Sequence, residues 1–143
     1  MPDKDTDQLA NELKDAADVE NFLSANAENL REFTLKDYLQ KLLAEKHLVK
    51  AQVIRDSRLS EGYAKKIFRG DTERPARKKI LSLALAMNLS PKETDYLLYY
   101  AGHNKLYSRN SWDDVIFFAL TNHKTVDETN ELLTNIQLEP LLD

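Results

Sequence analysis

Residues 48–70 read LVKAQVIRDSRLSEGYAKKIFRG, and this stretch decides the fold. Its apolar positions are Val53, Ile54, Leu59, Ala64, Ile67 and Phe68, spaced so that they turn toward one core. Ser60 is a good N-cap, because its hydroxyl can accept a bond from a free amide in a first helical turn. The helix it opens is expected to run over 61–69 and to stop at Gly70. Glycine there tolerates the left-handed conformation of a C-terminal cap. A shorter helix over 50–57 precedes it, and Arg58 and Leu59 make the turn between them. Glu61, Gly62, Lys65 and Arg69 then share the outer face of the second helix at three- and four-residue spacing.

Charge is distributed unevenly around this pair. The chain has 143 residues and a formal net charge of −4. Residues 1–33 carry 3 basic and 9 acidic side chains, residues 34–80 carry 13 and 6, and residues 81–143 carry 4 and 9. The positive charge therefore lies on the segment that holds the two helices. A local basic field draws a protein to phosphates whatever the global sum. A short helix that offers its outer face above a basic surface, just after a partner helix, is the helix-turn-helix arrangement. Its second helix enters the DNA major groove.

Composition sets the class. With 42% hydrophobic residues the chain can bury a core, and with only 3 glycines and 4 prolines it favours long helices over turns. β-branched runs with period-two alternation are absent, so the expected class is all-α. There is no cysteine, hence no disulfide and no thiolate metal site. No apolar run reaches the roughly 18 residues of a membrane span, and the N-terminus lacks a secretory pattern. A cytoplasmic location and no membrane partner are the resulting expectations.

Three segments follow along the chain. Residues 1–33 form an acidic helical arm, with Leu9, Leu13, Ala16 and Ala17, then Val19, Phe22, Leu23, Ala27 and Leu30, in thin apolar stripes. It reads equally as a loose tail, a dimerisation arm or an acidic flap over the basic face. Residues 34–107 form the helix-turn-helix domain, with helices expected over 34–45, 50–57, 61–69, 75–87 and 91–100. Thr34 caps the first, Asp37 stands three residues on, and Phe33 can staple onto Tyr38. Pro75 is expected at the first helical position after the loop, and Ser90 to Glu93 is a capping box with proline at its first helical position. The helix over 75–87 is apolar almost all round and is expected at the centre. Residues 108–143 form a C-terminal hairpin that repeats the one before it. A shift of about 35 residues lays Ser90 and Glu93 on Thr125 and Glu128, and Leu97-Leu98 on Leu132-Leu133. Val115, Ile116, Phe117, Phe118 and Leu120 lie in the first helix of this copy, which either extends the core or forms a subunit interface.

Catalytic chemistry finds little support. His47, His103 and His123 are isolated in sequence. His123 is near Asp113, Asp114 and Asp127, but the spacing matches no metal-ligand motif. Asp113 and Asp114 more simply favour a helix start through its dipole. Tyr96, Tyr99, Tyr100 and Tyr107 read as core and interface packing residues rather than a ligand pocket. Phosphate-loop, dinucleotide and nucleophile-elbow motifs are missing. The expectation is a non-enzyme with no cofactor and no metal.

Leu48, Val53, Leu59, Ser60, Ile67 and Gly70 carry a family resemblance. The segment from Thr34 to Gly102 resembles the DNA-binding domain of the lambda-repressor-like, or XRE-type, regulators of bacteria and phage. The runs LALAMNLSPKET over 83–94 and ALTNHKTVDETNELL over 119–133 resemble a group of such proteins that adds an N-terminal extension and a C-terminal hairpin. The resemblance implies a five-helix core and a transcriptional regulator, a homodimer on double-stranded DNA. Lys50 stands where a helix-2 side chain commonly reaches phosphate and base, and Glu61, Gly62 and Lys65 stand where bases are commonly read. The implied DNA-binding set is Lys50, Gln52, Arg58, Ser60, Glu61, Gly62, Lys65, Lys66, Arg69, Arg74 and Arg77. Three departures stand out. Glu61 is acidic at the groove-facing end, where it can accept from a cytosine amino group but repels phosphate. Gly62 has no side chain with which to read a base. Arg58 replaces the usual glycine of the turn. Glu61, Gly62 and the acidic flanks motivate the competing expectation, an interaction adaptor that keeps the fold without reading DNA.

Overall fold

Thr34 starts the first helix as its sequence dictates. Its hydroxyl accepts from the Asp37 amide while the Asp37 carboxylate accepts from the Thr34 amide, a reciprocal capping box. The Phe33 ring meets Tyr38 edge-on with centroids 6.5 Å apart. This computed structural model describes residues 33–142. The expected arm before Phe33 lies outside the described residues. Seven helices follow within them, and no strand: α1 Leu35–Glu45, α2 Lys50–Ser57, α3 Glu61–Arg69, α4 Arg77–Ala86, α5 Pro91–Tyr100, α6 Ser111–Thr121 and α7 Val126–Asn135. The class is all-α.

Local chemistry accounts for the ends of α2 and α3. Ser60 accepts from the Tyr63 amide, and Gly70 closes α3 at φ 77°. Arg58 closes α2 at φ 63°, so the turn demands a left-handed residue and arginine supplies it. One boundary differs from expectation. Pro75 is not the first residue of a helix, because Ala76 is extended, at φ −59° and ψ 142°, and α4 begins at Arg77. Pro75 is buried, and its carbonyl is held by His103 Nε2 at 2.6 Å, which keeps the proline outside the helix.

α4 is the centre. Ile80 through Leu85 are all buried, and α2, α5, α6 and α7 pack around the helix, α2 most extensively. α1 packs on α3 and α5. One continuous core runs from Tyr38 and Leu39 to Leu133 and Leu141, so the C-terminal hairpin adds to the same core.

The two hairpins carry the same bonds 35 positions apart. Ser90 and Thr125 open α5 and α7 with matching capping boxes. Thr94 and Thr129 hydroxyls donate back to the carbonyls of those caps. Asp95 and Asn130 side chains accept from the Leu106 and Leu141 amides. Asn88 and His123, both left-handed, end the first helices. Equivalent residues also touch one another. His123 Nδ1 lies 2.9 Å from Asn88 Oδ1. Arg77 pairs with Asp113, and Lys78 lies over the Trp112 ring, the same contact with the copies exchanged. Start meets start and end meets end, so α4 and α6 run side by side and parallel, related by a local two-fold.

Candidate functional site

The face in question is the outer side of α3. Ala64, Ile67 and Phe68 point inward and are buried, which leaves Glu61, Gly62, Lys65, Lys66 and Arg69 exposed. The helix presents no neighbour to a Cβ built on Gly62, where nothing lies within 4 Å. α2 and α3 enclose a shallow groove lined by Ala51, Ile54, Arg55, Arg58, Leu59, Glu61 and Lys65.

Most of the cations expected on this surface are engaged by the protein's own groups. Lys65 Nζ donates to Glu61 Oε1 at 2.6 Å, across one turn of α3. Hydrogen bonding from Lys65 holds the Glu61 carboxyl below its ordinary range. Arg69 Nε pairs with Asp71 at 2.9 Å. Arg58 reaches Asp127 of α7 with two bonds, of 3.2 and 2.8 Å, and that bond raises the guanidinium's affinity for its proton. Both partners are largely exposed.

Arg74 and Arg77 stand apart from the α3 face. Arg74 donates to the Gly102 carbonyl at 2.8 Å. Arg77 makes two 2.9 Å bonds to Asp113 and also donates to the Asn104 and Lys105 carbonyls. The Asp113 carboxylate also accepts from the Tyr107 amide, so it does more than favour a helix start. Asn110 supplies the cap of α6. Gln52 bridges Arg55 and Asp56 within α2, and the Ser60 hydroxyl is spent on its cap. Lys50 lies 6.0 Å from the Phe68 ring centre, and Lys66 has no charged partner among the described residues.

Geometry adds three features to the expected set. Arg55 lines the groove between α2 and α3. Lys79 lies 4.8 Å from the Tyr63 ring centre, beside α3. The α2 N-terminus has no side-chain cap, because exposed Val49 stands where a hydroxyl would serve, so its first amides and Lys50 face outward together. Arg55 and Lys79 were legible only as charge; the missing cap was legible in the sequence as a valine before Lys50.

Two of the three histidines take structural places. His103 holds Pro75 and His123 meets Asn88. Among the described residues no group of three or more histidines and carboxylates is placed to hold a metal ion. No helix among them is long and apolar enough to cross a membrane. Of the expected packing tyrosines, Tyr99 and Tyr107 are more than half exposed, because they fall on the outer sides of α5 and its following loop. Comparison of the chain with models of protein families, with curated proteins and with solved structures finds no match.

Proposed function

We propose that this protein is a DNA-binding transcriptional regulator of the lambda-repressor-like type, acting as a homodimer. On this reading α3 lies in the major groove and α2 abuts the phosphates. The observation that carries it is the open outer face of α3. A capped helix holds a glycine there that nothing in the fold requires, and glycine costs up to about 1 kcal/mol relative to alanine. Such a local cost fits a surface that another molecule must approach closely. Lys66, Arg69 and Lys65 rim it, and the uncapped amides of α2 beside Lys50 form an electropositive end suited to a phosphate.

The proposed division of labour has Lys50, Lys65, Lys66 and Arg69 on phosphates, Glu61 facing a base edge, and Gly62 admitting the groove wall. Arg74 and Arg77 then serve the fold. Fluorescence polarisation on fragments of the native genome tests this. Binding at about 50 mM salt should weaken steeply as salt rises, and Lys66→Ala and Arg69→Ala should each flatten the slope of log affinity against log salt by about 1. Absence of binding to every fragment at that salt refutes the reading.

A specific observation favours a second reading, an adaptor that binds protein instead. Lys65, Arg69 and Arg58 already have carboxylate partners, and Glu61 sits at the groove-facing end. A partner retained after Lys50, Lys66 and Arg69 are all replaced by alanine would favour it.

A further inference from the structure

We infer that the outer face of α6 is the surface through which two copies of this chain pair. The local two-fold between the hairpins makes the comparison possible. Phe117 and Phe118 on α6 correspond to Ser82 and Leu83 on α4. Ser82 and Leu83 are fully buried, whereas Phe117 and Phe118 are 51% and 50% exposed. The difference has a cause. α4 is roofed by α2 in addition to its hairpin neighbours, and no helix among the described residues packs on α6 as α2 does on α4. The corresponding surface on α6 has no such helix over it, and it carries two large aromatic side chains where α4 carries a serine and a leucine.

The charges around it select a second copy as the occupant. Asp114 lies one turn before both phenylalanines, on the same face, and is exposed. Lys105 lines the same cleft as Phe117 and Tyr99. Neither Asp114 nor Lys105 has an ion-pair partner among the described residues. A patch with an apolar ridge, a cation on one flank and an anion on its helix is complementary to itself under a two-fold. The phenylalanines of one copy meet those of the other, and Lys105 of each faces Asp114 of its mate. The patch lies on α6, and the groove of α2 and α3 is made by other helices, so pairing leaves that groove open.

Sedimentation velocity on the full chain, without DNA, reads this directly. The chain should be dimeric at tens of micromolar, and Phe117→Ser with Phe118→Ser should weaken dimerisation by at least about thirtyfold. Both side chains are half exposed, so the doubly substituted chain is expected to keep its thermal midpoint at concentrations where the parent is monomeric. Asp114→Lys and Lys105→Asp should each weaken association about tenfold, and the two together should restore it to within about threefold. A chain that stays monomeric at 100 µM, roughly the upper range of such an experiment, overturns the inference. So does a dimer indifferent to all four substitutions. So does a monomer whose midpoint collapses when the phenylalanines are replaced, because that face would then be covered from within the chain. The inference takes up the homodimer of the proposed reading, and because DNA takes no part in the measurement, its failure removes the dimer without bearing on whether α3 binds DNA.

Discussion

Replacing Asp113 with asparagine should cost this fold about 2–3 kcal/mol. Asp113 accepts both 2.9 Å bonds from Arg77 and a third from the Tyr107 amide, and its side chain is only 7% accessible. Asparagine keeps the shape, removes the charge and turns one acceptor into a donor that faces a guanidinium. Breaking a fully buried ion pair by removing one partner costs about 3–5 kcal/mol. Arg77 is 27% accessible and retains the Asn104 and Lys105 carbonyls, so the lower figure applies. With a urea slope of about 1.5 kcal/mol per molar, the unfolding midpoint should fall by about 1.3–2 M. The thermal midpoint should drop by about 10 °C. Arg77→Met should cost a similar amount, and the double substitution should cost about 1–2 kcal/mol less than the sum. A shift below about 0.5 kcal/mol for Asp113→Asn would refute the argument that this pair clamps the two hairpins together. The same variants decide what Arg77 is for. A phosphate ligand would lose salt dependence of DNA binding at unchanged stability, and a clamp does the reverse.

Gly62→Ala should stabilise the chain by about 0.5–1 kcal/mol in urea titration, because its Cβ meets nothing and alanine is the better helix former. If α3 approaches DNA closely, the same variant binds more weakly although it is more stable; equal or tighter binding would remove the reason offered for the glycine. Thr125→Ala should cost about 1 kcal/mol, read as a loss of urea midpoint, since the hydroxyl caps α7 through the Glu128 amide. Stability should also depend on pH at both ends. The Thr125 amide holds the Glu128 carboxyl below its ordinary range, and Lys65 does so for Glu61. Their contribution is present above the unfolded carboxylate value of about 4.3 and is lost as pH falls through the lower folded values. Burial, then the Glu93 charge, raises the Tyr38 phenol, so its contribution is present below the unfolded value of about 10 and fades as pH climbs above it. Ultraviolet titration should find Tyr38 among the last phenols to ionise, and Tyr38→Phe should remove part of the alkaline loss.

What could be read from the chain was local. The caps at Thr34, Ser60, Ser90 and Thr125 depend on residues three positions away, and all four form as their spacing dictates. Pro75 depended on a partner 28 residues distant, His103, and was misplaced for that reason. The sequence leaves open whether the helix of Phe117 and Phe118 extends the core or forms a subunit interface, because exposure is decided by what packs from outside, and α6 lacks the helix that α2 gives to α4. The expected binding set failed to separate for the same reason. Thirteen basic residues over 34–80 state how much charge is present and not how much is available.

Availability follows from burial of the partner. Asp71, Asp127 and Glu61 are largely exposed, and such pairs are worth only about 0–1 kcal/mol, so Arg69, Arg58 and Lys65 can exchange a carboxylate for a phosphate at little cost. Asp113 is buried, and pulling Arg77 from it would strand a charge in the core. The surface open to a polyanion therefore runs from Lys50 across α3 to Arg69, with Arg58 at its edge. Arg77 is not part of it, although Lys79, which lies against the Tyr63 ring of α3, flanks it.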